Sequence, residues 1–174
     1  IGDEWEYMSK YLDLLFPATR SNRILRAYCS AGVGGFPILF GTPEPTVKGT
    51  LEAFGFKVFE GFYDADSQLV RDSLQECSTD PLRTVFILVS KDGDYAEFLK
   101  ELKRIGVDVY IWSEGDEISE KLESSIEDGN MIPWDRPYLV VECLDVIKGL
   151  KGKPVKRGTI GQYFRERLEE HEIY

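Results

Sequence analysis

Apolar residues recur along this chain at two spacings, one typical of amphipathic helices and one typical of buried strands. A first helix is predicted over residues 3–16, where apolar positions follow helical spacing until Pro17 ends the pattern. Further helices are predicted over residues 46–55, 66–77, 95–106 and 117–126, with two more in the tail, and strands over residues 23–31, 56–62, 84–90 and 107–113. Alternating strands and helices predict an α/β three-layer sandwich with a central, mainly parallel sheet.

Two pairs of aspartates follow predicted strands at the points where helices begin. Asp64 and Asp66 form the first pair, and Asp92 and Asp94 form the second, with Gly93 expected to allow a backbone geometry in which both carboxylates converge. Any one of these aspartates is explained by helix capping. Two pairs at the carboxyl edge of a parallel sheet also predict a site for a hard divalent cation, which needs several carboxylate oxygens. Both interpretations stay open from the residues alone.

Length and composition limit the class of protein. With 174 residues, 43% of them hydrophobic, the chain is long enough for one domain with a real core, or for one domain plus a short extension. No apolar run reaches the about 18 residues of a membrane span, and the acidic start is unlike a secretory signal. We therefore predict a protein without membrane contact.

The cysteines and the single histidine narrow the chemistry further. Cys29, Cys77 and Cys143 are widely spaced in apolar contexts, which predicts reduced thiols and a cytoplasmic location. There is no CxxC pair, and His171 is the only histidine. Zinc binding and histidine-dependent nucleophilic catalysis are therefore both disfavoured.

Charge is unevenly distributed along the chain. The formal net charge of −10 argues against a protein that coats nucleic acid, but it is compatible with an acidic centre beside a local basic patch. The segment "KGLKGKPVKR" is such a patch, although a short charged run of this kind is more often a solvated loop. Its basic residues are Lys148, Lys151, Lys153, Lys156 and Arg157.

The stretch "TVFILVSKDGDYAEFLKELKRIGVDVYIWS" resembles the NYN domain family of PIN-like ribonucleases. That family typically carries Ser-Gly-Asp-x-Asp-Phe between a strand and a helix. Here the motif runs from Ser90 to Tyr95, with Lys91 in place of Gly and Tyr95 in place of Phe. Asp66 and Asp72 match the spacing of two further family aspartates, and the resemblance extends over about residues 20–130.

The resemblance implies an endoribonuclease that uses Mg²⁺ or Mn²⁺ to hydrolyse RNA phosphodiester bonds. It implies Asp66 and Asp92 as cation ligands, and Asp94 as a ligand or as the group that orients the water. Ser90 would donate a hydrogen bond to a carboxylate or phosphate. Asp64 and Asp72 are further candidate metal ligands, and Lys91 joins the five basic residues as a candidate RNA contact. Whether the chain forms a homodimer stays open.

The resemblance also divides the chain. It implies a PIN-like domain over residues 1–134 and a C-terminal helical extension over residues 135–174, whose first apolar residues are expected to dock on the domain. The family's first strand, which carries an Asp and an Asn, is missing from the sequence. Because the strand over residues 84–90 lacks the protections typical of an edge, we expect a further strand of about five or six residues ahead of Ile1, beside it.

Two other classes of function stay open. One is a catalytically weak NYN-like module that binds RNA or protein, an alternative that the Lys91 substitution and the acidic surface allow. The other is a different doubly wound α/β protein that handles phosphates or nucleotides. Against the latter, neither GxGxxG nor GxxxxGK[ST] occurs, and "GVGG" at residues 32–35 is followed by Pro37 rather than by a helix.

Overall fold

The computed structural model describes residues 2–17, 22–30, 47–61, 64–113, 118–126 and 130–149. The helices are α1 (Gly2–Leu15), α2 (Val47–Ala53), α3 (Ala65–Cys77), α4 (Ala96–Arg104), α5 (Glu120–Glu123) and α6 (Arg136–Gly149). The strands are β1 (Arg26–Ser30), β2 (Lys57–Gly61), β3 (Val85–Val89), β4 (Asp108–Ser113) and β5 (Met131–Pro133). Single 3₁₀ turns occur at Pro81–Arg83 and Gly93–Tyr95.

Most of these elements follow the predicted order, with boundaries that shift by a few residues. The helix predicted over residues 117–126 is shorter, since α5 is a single turn. β5 was not predicted, because three residues ending in a proline carry no alternating pattern. The first predicted tail helix is confirmed as α6, whereas the second, and the "GVGG" segment at residues 32–35, lie outside the described residues.

All described strand pairs are parallel. β1 pairs with β2 from Arg26↔Lys57 to Ser30↔Gly61, and β3, β4 and β5 form a second sheet in that order. Within the described ranges, β1 pairs only with β2. Among the same residues, β3 pairs with β4 along one edge and with no strand along its other edge. The further strand expected beside residues 84–90 stays a prediction, and the remaining edge of β3 is the position that it would take.

β4 separates two apolar cores. Its side chains alternate, so that Val109 and Ile111 lie in a core with α3, α4 and α5, whereas Tyr110 and Trp112 contact a core with α1, β5 and α6. The first core buries Cys77, Leu88, Tyr95, Phe98, Leu99, Leu102, Val107, Val109, Ile111 and Leu122, and the second buries Met8, Tyr11, Leu12, Trp112, Ile132 and Val141. Helices on both faces of a parallel sheet confirm the predicted three-layer α/β class.

α4 connects the paired strands β3 and β4. Its buried face carries Phe98, Leu99 and Leu102, and the helix ends where Gly106 adopts a φ of 99°. This left-handed conformation lets the N–H of Val107 bond to the carbonyl of Leu102 at 3.1 Å. The chain then enters β4 directly, as the sequence predicted from Gly106.

The described part of the C-terminal extension packs on the domain. The Tyr7 hydroxyl of α1 donates to Glu142 Oε1 of α6 at 2.8 Å, and the rings of Tyr7 and Tyr138 meet edge to face at 4.8 Å. Just before α6, the indole of Trp134 stacks on that of Trp112, with centroids 4.3 Å apart. The exact domain boundary at residue 135 stays a prediction. Of the helices described, none is both long and apolar enough to cross a membrane.

Candidate active site

One cavity lies between α3 and the turn that follows β3. Its volume is about 530 Å³, and its polar wall consists of Asp66, Ser67, Arg71, Asp94 and Tyr95. Val70 and Leu74 of α3 complete the lining with apolar surface. The structure therefore brings one aspartate from each predicted pair to a common space.

Tyr95 holds the two sides of the cavity together. Its hydroxyl donates a hydrogen bond to Asp66 Oδ1, across a sequence separation of 29 residues. The side chain is 8% exposed and belongs to the core that α4 covers. Burial raises the pKa of the Tyr95 phenol, and the bond to Asp66 and the negative charges of Asp92 and Asp64 raise it further. These carboxylates thus act electrostatically on one phenol.

Asp92 and Ser90 shape the turn itself. The Asp92 carboxylate accepts the backbone N–H of Asp94 at 2.9 Å, and the Ser90 Oγ accepts the N–H of Asp92 at 3.1 Å. Both bonds organise the backbone from β3 into the Gly93–Tyr95 turn. Asp92 does not line the cavity, and its predicted role as a ligand remains a prediction.

Gly93 is required by a close contact rather than by its backbone conformation. Its φ is not positive, so the special backbone geometry predicted for it is wrong. A Cβ at this position would instead overlap the Ser119 Oγ and lie 3.2 Å from the Ser119 Cβ. Ser119 cannot easily turn away, because its Oγ accepts the N–H of Leu122 as the N-cap of α5.

Asp64 caps α3. Its carboxylate accepts the backbone N–H of Ser67 at 2.9 Å and also the Ser67 hydroxyl. These hydrogen bonds lower the pKa of Asp64. The capping interpretation of the first aspartate pair therefore holds for Asp64, whereas Asp66 enters the cavity wall.

Asp72 is separated from the cavity. It accepts a hydrogen bond from the Tyr28 hydroxyl of β1 at 3.1 Å, and one turn later Glu76 pairs with Arg26 at 2.7 Å. Six residues along a helix do not return to the same face, so Asp66 and Asp72 serve different neighbours.

Two of the six predicted basic contacts lie among the described residues, and they are on different elements. Lys91 is exposed in the segment between β3 and the turn, and Lys148 pairs with Asp145 at 3.3 Å on the surface of α6. Lys151, Lys153, Lys156 and Arg157 lie outside the described residues.

Sequence analysis missed Arg71 and Ser67. Both belong to the cavity wall, and Arg71 is exposed there beside two carboxylates. Their spacing of four residues on α3 was the available signal, since residues four apart share one helical face. Arg71 adds a cation to a site that the sequence had predicted as purely acidic.

A family model for the NYN domain matches residues 5–129. The chain belongs to the NYN domain family. This places it with the PIN-like nucleases, and the match ends before β5 and α6 begin. No curated protein and no solved structure matches the chain significantly.

The cavity of this NYN domain has two carboxylates in its wall. Among the residues that the structure describes, no three His, Cys, Asp or Glu side chains are grouped closely enough to enclose an ion. That arrangement is unlike a cage for Zn²⁺ or Ca²⁺. Mg²⁺ differs from these ions because it keeps several waters and uses one or two carboxylates together with substrate phosphates. Asp66 and Asp94 supply such a pair.

Replacing Gly93 tests the close contact. We expect Gly93→Ala to lower the free energy of unfolding by about 1–3 kcal/mol, because the methyl group displaces Ser119 from its cap. Ser119→Gly alone should cost about a few tenths of a kcal/mol. Urea unfolding of the double variant should show that the loss of unfolding free energy caused by Gly93→Ala has largely disappeared. An undiminished cost would mean that backbone conformation, not the contact, requires the glycine.

The cap on α3 predicts a pH-dependent stability. The folded pKa of Asp64 is lowered, so its contribution is complete above its unfolded pKa of about 4 and is lost as the pH falls through the folded value. Asp64→Ala should therefore lower the Tm at neutral pH, and the difference should shrink in acid. Asp80→Ala is the control, because the Asp80 side chain makes no capping bond. A Tm difference that is constant with pH would contradict a charge-dependent cap.

Proposed function

We propose that this NYN domain is an endoribonuclease that hydrolyses RNA phosphodiester bonds with Mg²⁺ or Mn²⁺. The observation that carries the proposal is the cavity, where Asp66 and Asp94 lie with Arg71 between α3 and the Gly93–Tyr95 turn. Membership of a PIN-like nuclease family supports the class of reaction. The acidic wall suits a cation, and the arginine suits a phosphate.

Each side chain has a role in this proposal. Asp66 and Asp94 would hold the cation, which when bound would supply an activated water and stabilise charge on the phosphoryl oxygens. Asp92 would fix the turn that carries Asp94, through its bond to the Asp94 N–H. Asp92 and Ser90 also remain candidates for direct contact with the cation or the phosphate.

Arg71 would bind the scissile phosphate. Its guanidinium can donate two parallel hydrogen bonds to phosphate oxygens, and it lies on the same wall as Ser67. The net charge of −10 makes such local cations necessary, because the chain as a whole repels RNA. Lys91 and the basic segment over residues 148–157 are the proposed contacts for the rest of the RNA strand.

A catalytically weak NYN module that binds RNA is the second candidate. It is favoured by the lack of a three-ligand group among the described residues. A cytoplasmic location is supported by the free thiols of Cys77 and Cys143. Homodimer formation stays a prediction that the described residues do not support.

Nuclease activity is tested with single-stranded RNA in Mn²⁺, Mg²⁺ or EDTA. We expect cleavage with either cation and none in EDTA. Asp66→Asn, Asp92→Asn and Asp94→Asn should each lower kcat by about 100-fold or more, because each removes a charge that acts at the reaction centre. Asp72→Asn should retain most activity, because Asp72 bonds to Tyr28 outside the cavity. RNA binding without cleavage would favour the module, and cleavage in EDTA would contradict the metal mechanism.

Arg71 is tested separately by RNA binding. In the Asp94→Asn background, Arg71→Gln should weaken binding and reduce the slope of log K against log salt by about 0.7, the value for one lost phosphate contact on a single strand. Fluorescence anisotropy over a salt series measures this slope. Arg104→Gln is the matched control, because Arg104 is an exposed arginine already paired with Glu101 at 2.7 Å. Equal slopes for both variants would exclude Arg71 from phosphate contact.

A further inference from the structure

The bond between Tyr95 and Asp66 uses a hydroxyl group that the typical NYN motif lacks. Tyr95 stands where the NYN motif typically has a phenylalanine, whose ring has no hydroxyl group. The extra oxygen is not left in solvent, because it donates to Asp66 Oδ1 inside the cavity wall. The substitution thus creates a contact at the proposed reaction centre.

The geometry points to Tyr95 as a positioning residue that fixes the Asp66 carboxylate for a divalent cation. This inference rests on the proposed function, since it concerns the same cation. Tyr95 does not touch the reacting atoms, and it acts only through Asp66.

Asp66 and Tyr95 differ in side-chain mobility, and the bond between them therefore restricts the orientation of the Asp66 carboxylate. Asp66 lies in the first turn of α3 with an exposed side chain that has several accessible rotamers. The Tyr95 ring is buried in the core beside α4, so its hydroxyl is a fixed point. A hydrogen bond to a carboxylate is stronger than one between neutral groups, and it holds Asp66 in one orientation.

The bond uses only one carboxylate oxygen. Tyr95 engages Oδ1, and no hydrogen bond to Oδ2 occurs among the described residues. Oδ2 is therefore available to a cation or to one of its waters. Because the orientation is fixed before the cation arrives, less conformational freedom is lost on binding.

A second tyrosine that donates to an aspartate of α3 provides a matched comparison. The Tyr28 hydroxyl donates to Asp72 Oδ2 at 3.1 Å, so α3 carries two tyrosine–aspartate bonds. Only the bond of Tyr95 lies at the cavity. If both bonds merely fastened α3 to its neighbours, removing either hydroxyl would have the same kind of effect.

The test measures Mn²⁺ affinity without RNA, by electron paramagnetic resonance of the free ion, for the wild type, Tyr95→Phe and Tyr28→Phe. We expect Tyr95→Phe to weaken Mn²⁺ binding by about tenfold or more, the usual effect of losing a group that orients a metal ligand. Tyr28→Phe should bind Mn²⁺ like the wild type, and thermal unfolding of all three proteins controls for stability. In RNA cleavage, Tyr95→Phe should need more Mn²⁺ for half-maximal rate yet approach the wild-type kcat at saturation.

The outcomes separate this inference from the proposed function. Unchanged Mn²⁺ affinity in Tyr95→Phe, in a wild type that binds Mn²⁺ and cleaves RNA, would overturn the positioning role alone. Equal weakening by Tyr28→Phe would also overturn it and leave a purely structural bond. A wild type that binds no Mn²⁺ would overturn both the inference and the metal-dependent function.

Discussion

The burial of β4 on both of its faces is the constraint on which the described structure depends. Ile111 is completely buried on one side and Trp112 is nearly so on the other, so each helical layer is attached to the same strand. The buried face of α4 packs against β4. The Gly93–Tyr95 turn, which leads into α4, must therefore lie close to the end of β3. Leu69, Val70 and Leu74 of α3 pack on the same core. The cavity between α3 and the turn is thus a consequence of core packing.

Three aspartates at or beside the cavity also bond to the backbone or to a neighbouring side chain. Asp64 caps α3, Asp92 holds the N–H of Asp94, and Asp66 accepts the Tyr95 hydroxyl. These bonds reduce the repulsion and disorder that unpartnered carboxylates would bring to one place. The cap made by Asp64 uses both of its carboxylate oxygens, whereas Asp66 and Asp92 each accept one of these bonds through a single oxygen.

Much of the fold followed from periodicity. The buried face of α4, its termination at Gly106 and the alternation along β4 are strong local patterns, and the structure contains each of them. β5 was beyond prediction, since its three residues are selected by pairing with β4 rather than by their own pattern. Gly93 was identified, but the reason was a contact with Ser119, a residue 26 positions away, which local sequence does not reveal.

Part of the candidate site was also predictable from local sequence patterns. The convergence of Asp66 and Asp94 was predicted from their positions just after β2 and β3, although the described residues place these strands in separate sheets. Asp72 is separated from the cavity because it lies on another face of α3 and bonds to Tyr28 of β1. Arg71 lines the cavity because its face of α3 is directed toward the Gly93–Tyr95 turn. The bond between Tyr28 and Asp72 joins residues 44 positions apart, which the local sequence does not reveal.

The stacked indoles of Trp112 and Trp134 have an optical consequence. Trp112 lies within the matched NYN region and Trp134 lies beyond it, yet the two rings are 4.3 Å apart and only 11° from parallel. Transitions in two such close chromophores couple, which gives near-ultraviolet circular dichroism and fluorescence unlike those of isolated tryptophans. The protein thereby carries an intrinsic chromophore pair whose signal depends on contact between the NYN domain and the segment that follows it.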